Sequence, residues 1–474
     1  MDDIEDAVDR LLEPSQPSFR RPLAHAFLKA EPTEEDVPPP RPAPVEDRIE
    51  TAAAFSRIVL IVPRYRGPDA DDLREWLLTD GTARASQPED APRLADPVEG
   101  SPGWSAAVGP KGGEQEVFVE VMRWDDLPRA AMPLAIRWGF KALARTAWTY
   151  LSSGAARSLA RLNRNATARG FAGGGILAAE SVLSLAVGAV AGGAIASALG
   201  DGARWLGWPT APFLFLAGIV GACAALLILR MLRGRDAMLG AYDRLRPVAY
   251  LSSARGAYPH ELDRRVSAFA GRIGWALRQP VDEVLVVGHG DGAALAVSAV
   301  AEAVRWGELP PGAPALSLLT LGQTIPLVGF LPDAARLRAD LRDVSLREDI
   351  CWVDVSDPSD ARAFALSDPV AVCGVALDDR HGPLVLAAGG RQDVGGPLGW
   401  LRGNPIRRHD RYLRAPEGSV RDYDWQRVLL GPLTLRKLLS GRPPAPGRID
   451  LRATDYASTA RPRPEPDDDE DDDF

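Results

Sequence analysis

The sequence predicts an α/β fold, a mostly parallel sheet interrupted by a two-helix transmembrane hairpin. Three observations carry that expectation. Short apolar runs alternate with amphipathic helical stretches from residue 57 to residue 356, the pattern of a sheet covered on both faces. The stretch Val281–Ala296, VDEVLVVGHGDGAALA, joins a strand, a tight glycine turn and a helix. Two long uncharged segments lie side by side between Ser181 and Leu229.

Composition sets the outer limits. The chain has 474 residues, 46% hydrophobic and 25% charged, with a net charge of −9. That is enough for one large domain with additions. Seven acids in the terminal DDDEDDDF supply most of the charge. The remainder is nearly neutral, so no nucleic-acid partner is expected. The three cysteines, Cys223, Cys351 and Cys373, have no metal-ligand spacing. Neither a metal nor a cofactor is expected, and a reducing compartment fits. The acidic start, MDDIEDAVDRLLEP, has no apolar core of a signal peptide.

Residues 1–50 are acidic and proline-rich and read as a disordered tail. Residues 51–170 read as the first part of the α/β domain. RIVLIVP (Arg57–Pro63) is a buried strand, and Asp69–Asp80 is helical. Residues 81–113 look loop-like. VFVEVMRW (Val117–Trp124) is the second strand, and Leu127–Asn163 is one long helical stretch carrying many basic residues. Such a stretch suits either a soluble amphipathic helix or one lying along a membrane surface.

Residues 171–232 hold the hairpin. Ser181–Gly200 has no charge over 20 residues, about the length that crosses a bilayer core. Its AVGAVAGGAIASA repeats small residues at four-residue spacing, which lets helices approach closely. Trp205–Leu229 is a second uncharged run, opened by Trp205 and Trp208 as interfacial anchors. Basic residues flank the hairpin, while Arg204 alone lies in its turn. The positive-inside rule then places both termini and the main domain in the cytoplasm. A pair of buried core helices is the alternative.

Residues 233–440 resume the α/β pattern. Pro247–Leu251 reads as a weak strand, and Pro259–Leu277 as an amphipathic helix with Leu262, Val266, Phe269 and Ile273 on one face. Val284–Val287 is a strand, and Ala293–Val304 a helix. Ala315–Gly322 is a strand, Asp333–Arg347 a helix, and Ile350–Ser356 a further strand. Beyond Gly389 the pattern weakens, with helical character again over Tyr412–Ser440. Residues 441–474 read as a second disordered tail with an acidic end.

The turn Gly288-His289-Gly290-Asp291-Gly292 carries the chemistry. A G-x-S-x-G elbow needs small residues where the strand and helix backbones nearly touch, and Gly288 and Gly292 meet that need. The nucleophile position holds Gly290. A phosphate-binding loop is the competing reading, but Ala293 stands where G-x-G-x-x-G needs its third glycine, and no P-loop lysine follows. A purely structural turn is the remaining alternative to the elbow.

A triad would take its acid after a later strand and its histidine near the end of the chain. Asp354, Asp357 and Asp360 lie at or beyond the carboxyl end of Ile350–Ser356, and Asp360 is favoured because it falls in the loop. Aspartates there also serve as turn and helix caps. Of the five histidines, His409 in NPIRRHDRYL has the correct order, with His381 second. His289 is too close to the turn to act as its own base. Asp291 is the one side chain near the apex able to act as a nucleophile, but it sits one residue beyond it. An oxyanion hole would use the Asp291 N–H with that of Arg64 or Tyr65, since Pro63 has none.

GHGDGAALAVSA resembles the GHS-x-GA elbow of lipase-like α/β-hydrolases. WVDVSDPSDARAFALSDPV and NPIRRHDRYL are similar to segments of a family of bacterial membrane-anchored α/β-hydrolase-like proteins. The resemblance implies a mostly parallel α/β-hydrolase-like sheet with a two-helix insertion at the inner membrane. It also implies an acid near Asp360 and a base at His409. The family has serine where Gly290 stands.

Three functions follow as expectations. One is a pseudohydrolase that binds a lipid or ester-like ligand, or a partner, at the bilayer. Another is an ester or lipid hydrolase with an unconventional nucleophile. The last is a membrane scaffold that recruits a protein partner through its disordered ends.

Overall fold

The structure is a computed structural model. It describes residues 54–85, 91–95, 103–109, 114–133, 136–235, 240–307, 312–388, 409–414 and 423–460. The expected tail at 1–50 lies outside the described residues, as does 461–474 of the expected tail 441–474. Residues 441–460 are instead packed on the domain, Ala445 N donating to Val385 O at 2.8 Å and Ile449 N to Leu366 O at 2.8 Å.

Eight strands form one sheet: β1 (Phe55–Val62), β2 (Arg93–Leu94), β3 (Gly103–Val108), β4 (Gln115–Val121), β5 (Glu283–His289), β6 (Ala315–Leu321), β7 (Ile350–Ser356) and β8 (Leu384–Ala387). Their spatial order is β2-β3-β4-β1-β5-β6-β7-β8. β1 pairs in parallel with both β4 and β5, and β5 through β8 continue in parallel. Only β3 runs against its neighbours. The α/β expectation with a mostly parallel sheet is therefore met.

The strands are apolar on both sides because helices cover both faces. One face presents Ile58, Leu60, Val284, Val286 and Leu318 to the cluster that includes Leu262, Val266, Ile273, Leu295 and Leu337. The other presents Val59, Ile61, Leu285, Val287 and Leu319 to Leu73, Leu77, Tyr412, Trp425 and Leu429. Every residue from Val284 to Val287 is fully buried.

The principal helices are α1 (Ala70–Arg84), α2 (Ile136–Ser152), α3 (Ala172–Trp205), α4 (Ala211–Gly234), α5 (Ala241–Leu251), α6 (His260–Ala276), α7 (Gly292–Trp306) and α8 (Ala335–Ser345). α1 starts at a capping box: Asp69 accepts from Asp72 N, and Asp72 returns the bond to Asp69 N.

Three local expectations change. Pro247–Leu251 belongs to helix α5, not to a strand. Ala241, Tyr242, Leu245 and Val248 recur at helical spacing and are buried. At Gly173 of α3 a Cβ would meet Leu245 N and Ala241 O, so the two backbones touch. Packing outweighs the cost of Pro247 inside the helix. The stretch Leu127–Asn163 is not continuous. It breaks into Asp126–Ala131, α2 and Ala155–Leu162, the last break falling at Gly154 with φ +74°. The loop-like 81–113 contains β2 and β3. The Gly103–Val108 segment is poor in β-branched residues, and pairing with β4 makes it a strand.

α3 and α4 form an antiparallel pair long and apolar enough to cross a membrane, and only 11% of the most apolar window of each is buried. They are not core helices. At their contact a Cβ on Gly188 would lie 2.5 Å from Gly221 O, and one on Gly192 would lie 3.0 Å from Ala217 O. Small residues set that approach.

The chain runs from β1 outward to β2–β4, then crosses back over β1 to β5 on its other side. Direction therefore reverses at β1 and β5, and the carboxyl ends of these strands are where open α/β sheets place their sites. The base of α3 and α4 sits on this same edge. Arg66, just after β1, ion-pairs with Asp243 of α5. Tyr150 of α2 donates to Leu327 O at 2.8 Å, just beyond β6.

Candidate functional site

Four loops meet at the carboxyl edge. After β1 come Pro63–Gly67, after β5 the glycine turn, after β7 Asp357–Asp360, and from beyond β8 His409–Tyr412. The glycine turn folds as its spacing requires. A Cβ on Gly288 would lie 2.6 Å from Ala293 Cα, and one on Gly292 would strike Val62 O and reach Pro63 O at 2.5 Å. Any side chain at either position would push α7 off the sheet. Gly290 sits between them at φ +57°, in the left-handed region that suits glycine. Its N–H donates to Leu321 O at 3.0 Å.

A Cβ at residue 290 would lie 2.7 Å from His409 Nε2 and 3.0 Å from Arg64 Cβ. The imidazole therefore stands directly over the turn apex, in the space a nucleophilic side chain would enter. Behind it, His409 Nδ1 is 2.6 Å from Asp360 Oδ2. Both residues are buried, His409 to 2% exposure. With the Nδ1 proton shared toward the carboxylate, Nε2 is the acceptor that faces residue 290. Burial raises the Asp360 carboxyl, but the charge and hydrogen bond of His409 and the Arg362 N–H outweigh it, and the net pKa is lowered. Asp360 Oδ1 accepts from Arg362 N at 2.9 Å. Tyr412 donates its hydroxyl to Asp360 Oδ2 at 3.1 Å and accepts from Asp357 N at 2.9 Å.

His289 supports the ring from below. Its imidazole stacks on that of His409 with centroids 4.6 Å apart and planes at 24°. Its Nε2 lies 3.0 Å from His409 O, so that nitrogen carries the proton and donates. Burial, then the charge of His409, pushes the His289 pKa down to about 3. His289 is neutral and holds the backbone of His409.

Arg64 closes the other side. Its Nε reaches Asp410 Oδ1 at 2.8 Å and its Nη2 reaches Oδ2 at 2.9 Å, a two-pronged pair. Burial raises the Asp410 pKa, but the Arg64 hydrogen bonds and the nearby charges bring it below the usual value. The side chain of Arg64 thus clamps the residue next to His409. The N–H groups of Asp291, Arg64 and Tyr65, the expected oxyanion donors, make no hydrogen bond among the described residues.

The remaining expected residues lie apart from the pair. Asp354 is buried within β7 and accepts from Thr320 Oγ1 at 2.6 Å. Asp357 Oδ1 accepts from Ser359 N at 2.7 Å, a turn bond. Asp291 Oδ1 accepts from Thr324 Oγ1 at 3.0 Å. His381 precedes β8 and donates its N–H to Ser345 O, at the opposite edge of the sheet.

Sequence reasoning missed Asp410, Tyr412 and Arg362. Two of them stand within three residues of His409, so the HDRYL segment held the signal. Arg362 lies close enough to Arg64, Asp291, Asp360 and Asp410 to feel their charge, and burial followed by Arg64 lowers its pKa.

Chemically, the site holds a histidine with an acid behind it and no side-chain nucleophile at the apex. No group of three or more metal-ligating side chains occurs among the described residues. Comparison with family models, curated proteins and solved structures found no match.

Proposed function

We propose that this chain is a membrane-anchored α/β-hydrolase-like protein with a silent site, a pseudohydrolase that serves as a ligand- or partner-binding module at the bilayer. One observation carries the reading. His409, backed by Asp360, aims Nε2 at a left-handed glycine where a nucleophile would stand, 2.7 Å from the position of a Cβ. A proton acceptor so placed has nothing to activate. The neighbouring carboxylate of Asp291 is engaged by Thr324 and offers no replacement. The exposed apolar pair α3–α4 supports the anchor. Flanking arginines support an orientation with the domain on the cytoplasmic side of the inner membrane.

Detergent-purified wild type, His409→Ala, Gly290→Ser and Gly290→Ser/His409→Ala are compared for ester turnover and for labelling by a serine-reactive fluorophosphonate. Wild type should be inert in both assays. In Gly290→Ser the new Cβ forces the His409 ring to yield, and the hydroxyl then falls within its reach. That variant should gain labelling, and His409→Ala should remove the gain. Wild-type turnover that disappears in His409→Ala would overturn the proposal in favour of a working hydrolase. A Gly290→Ser chain that stays unlabelled would reduce the site to a structural turn.

A further inference from the structure

Helix α2 has an outward face that the domain does not use. Gly139, Thr146, Thr149 and Tyr150 turn inward. Arg137, Lys141, Arg145, Trp148 and Leu151 recur at spacings of three and four and are exposed. Trp148 is 73% exposed and Leu151 71%. Leaving two large apolar side chains in water is unfavourable, and their position at one end of a cationic stripe is not a core pattern. Lys141 lies 5.0 Å and Arg137 5.8 Å from the ring of Trp138.

The charge on this side is of one sign. No Asp or Glu occurs from residue 136 to residue 170, and Arg157, Arg161 and Arg164 are exposed on the helices that follow. Helix α2 packs on the base of the hairpin through its inward side. Gly174 of α3 abuts the side chain of Leu143, with a Cβ there falling 2.8 Å from Leu143 Cδ1. Tyr150 packs edge-on against Phe171 at 4.7 Å. On the returning side, α4 ends with Arg230 exposed.

We infer that the outward face of α2 rests in the headgroup layer of an anionic bilayer, with Trp148 and Leu151 entering the acyl boundary and Arg137, Lys141 and Arg145 meeting lipid phosphates. This rests on the reading that α3 and α4 span the membrane. Two arguments select lipid over protein. Tryptophan and leucine beside a run of cations match the layered chemistry of an interface. Helix α2 is also seated on the base of α3, through Leu143 against Gly174, so a membrane that holds the hairpin passes beside α2. The consequence reaches the site. Tyr150 of α2 bonds Leu327 O, and Thr324, three residues before Leu327, bonds Asp291 of the glycine turn. Docking α2 therefore fixes the carboxyl edge of the sheet at the lipid surface.

The test uses nitroxide labels on the full chain in phosphatidylcholine nanodiscs with and without phosphatidylglycerol. Cys223, in α4, is exposed; Cys351 is half-buried and Cys373 buried. Burial pushes the Cys351 and Cys373 thiols up to about 12, so Cys223 takes the label in wild type and reports on the hairpin. In a Cys223→Ala background, labels at Trp148→Cys and at the exposed control Glu75→Cys are compared by collision with oxygen and with a water-soluble nickel chelate. The oxygen-to-nickel ratio at 148 should exceed that at 75 several-fold in the anionic discs. It should fall toward the control value when Arg137, Lys141 and Arg145 are all changed to Glu. Leu151→Cys repeats the measurement should Trp148→Cys fold poorly. A lipid-like Cys223 with a water-like label at both 148 and 151 overturns this inference alone. A water-like Cys223 overturns the hairpin reading and this inference with it. Immobilisation at 148 without oxygen preference would assign the face to a protein partner and also overturn it.

Discussion

Gly290 combines a left-handed backbone with the absence of a side chain, and the imidazole of His409 occupies the room this leaves. The same scale holds a second ionisable group that the site does not use. Asp354 lies fully buried in β7, beside the edge strand β8, and burial pushes its carboxyl up to about 8 from 3.8. Between those values the folded protein keeps a proton that the unfolded chain has released. Stability must then fall as pH rises through that window, and the loss is complete above the folded value. Asp354→Asn keeps the acceptor for Thr320 Oγ1 and removes the titration. Wild type should lose a few kcal/mol of stability as the pH goes from about 6 to about 9, and the Asn variant should lose clearly less. Calorimetry at a series of pH values checks this, and parallel curves for the two proteins would count against a raised carboxyl. Legibility differs residue by residue. Gly288 and Gly292 were readable because the elbow is a local motif. Asp360 and His409 were readable because chain order places them at the carboxyl edge. The Arg64–Asp410 pair was not, because it joins two segments that nothing in the intervening pattern connects.

At the scale of elements, the apolar helices were the plainest feature of the sequence, since an uncharged run of that length matches the thickness of a bilayer core and exceeds what most soluble cores bury in one helix. Helix α5 was the least plain. Five residues, Pro247–Leu251, suggested a strand, whereas the decisive residues, Ala241 and Leu245, act only by packing on Gly173. Strand β3 is similar, a weak former recruited by its neighbour. The contact between α3 and α4 gives a test with an internal control. Gly188 faces Gly221 O, while Gly193, five residues on, has nothing within 4 Å of where a Cβ would sit. Gly188→Val overfills the contact and should cost about 1–3 kcal/mol. Gly193→Val should cost little. Thermal unfolding in one detergent measures both, and equal losses would mean that α3 and α4 do not pack as described.

For the whole molecule, the question is where the fold ends. The composition after residue 440 reads as the start of a tail, rich in proline and arginine. The described part of it, to residue 460, instead threads back across the carboxyl half of the sheet. Ala445 donates to Val385 O at 2.8 Å, Ile449 to Leu366 O at 2.8 Å and Ala453 to Val372 O at 3.0 Å. Asp368 N donates to Ile449 O at 2.9 Å. Ser458 O accepts from Arg338 Nε at 2.8 Å, and Arg338 is itself fully buried. Nothing in local periodicity reveals such a strap, because it has no regular element of its own and its partners lie on loops and strand ends. Its weight can be stated. Each hydrogen bond contributes a net of about 0.5–1.5 kcal/mol, so these five together are on the order of 5 kcal/mol. That rivals the whole stability of many domains. Two shortened chains isolate the effect, one ending at Ala460 and one at Ser440, since both lack residues 461–474. The chain ending at Ser440 should melt far lower and lose near-ultraviolet signal, because the loop holding Asp368 loses its bonds to Ile449 and the buried guanidinium of Arg338 loses the Ser458 acceptor of its Nε. Equal melting temperatures for the two would show that residues 441–460 only lie on the surface. The site would feel the loss as well. The loop from Asp357 to Asp368 carries Asp360 near one end and the strap's bond to Ile449 at the other. Loosening it should free the His409 ring, and the one-dimensional imidazole resonances of the shorter chain should broaden or shift even where it stays folded.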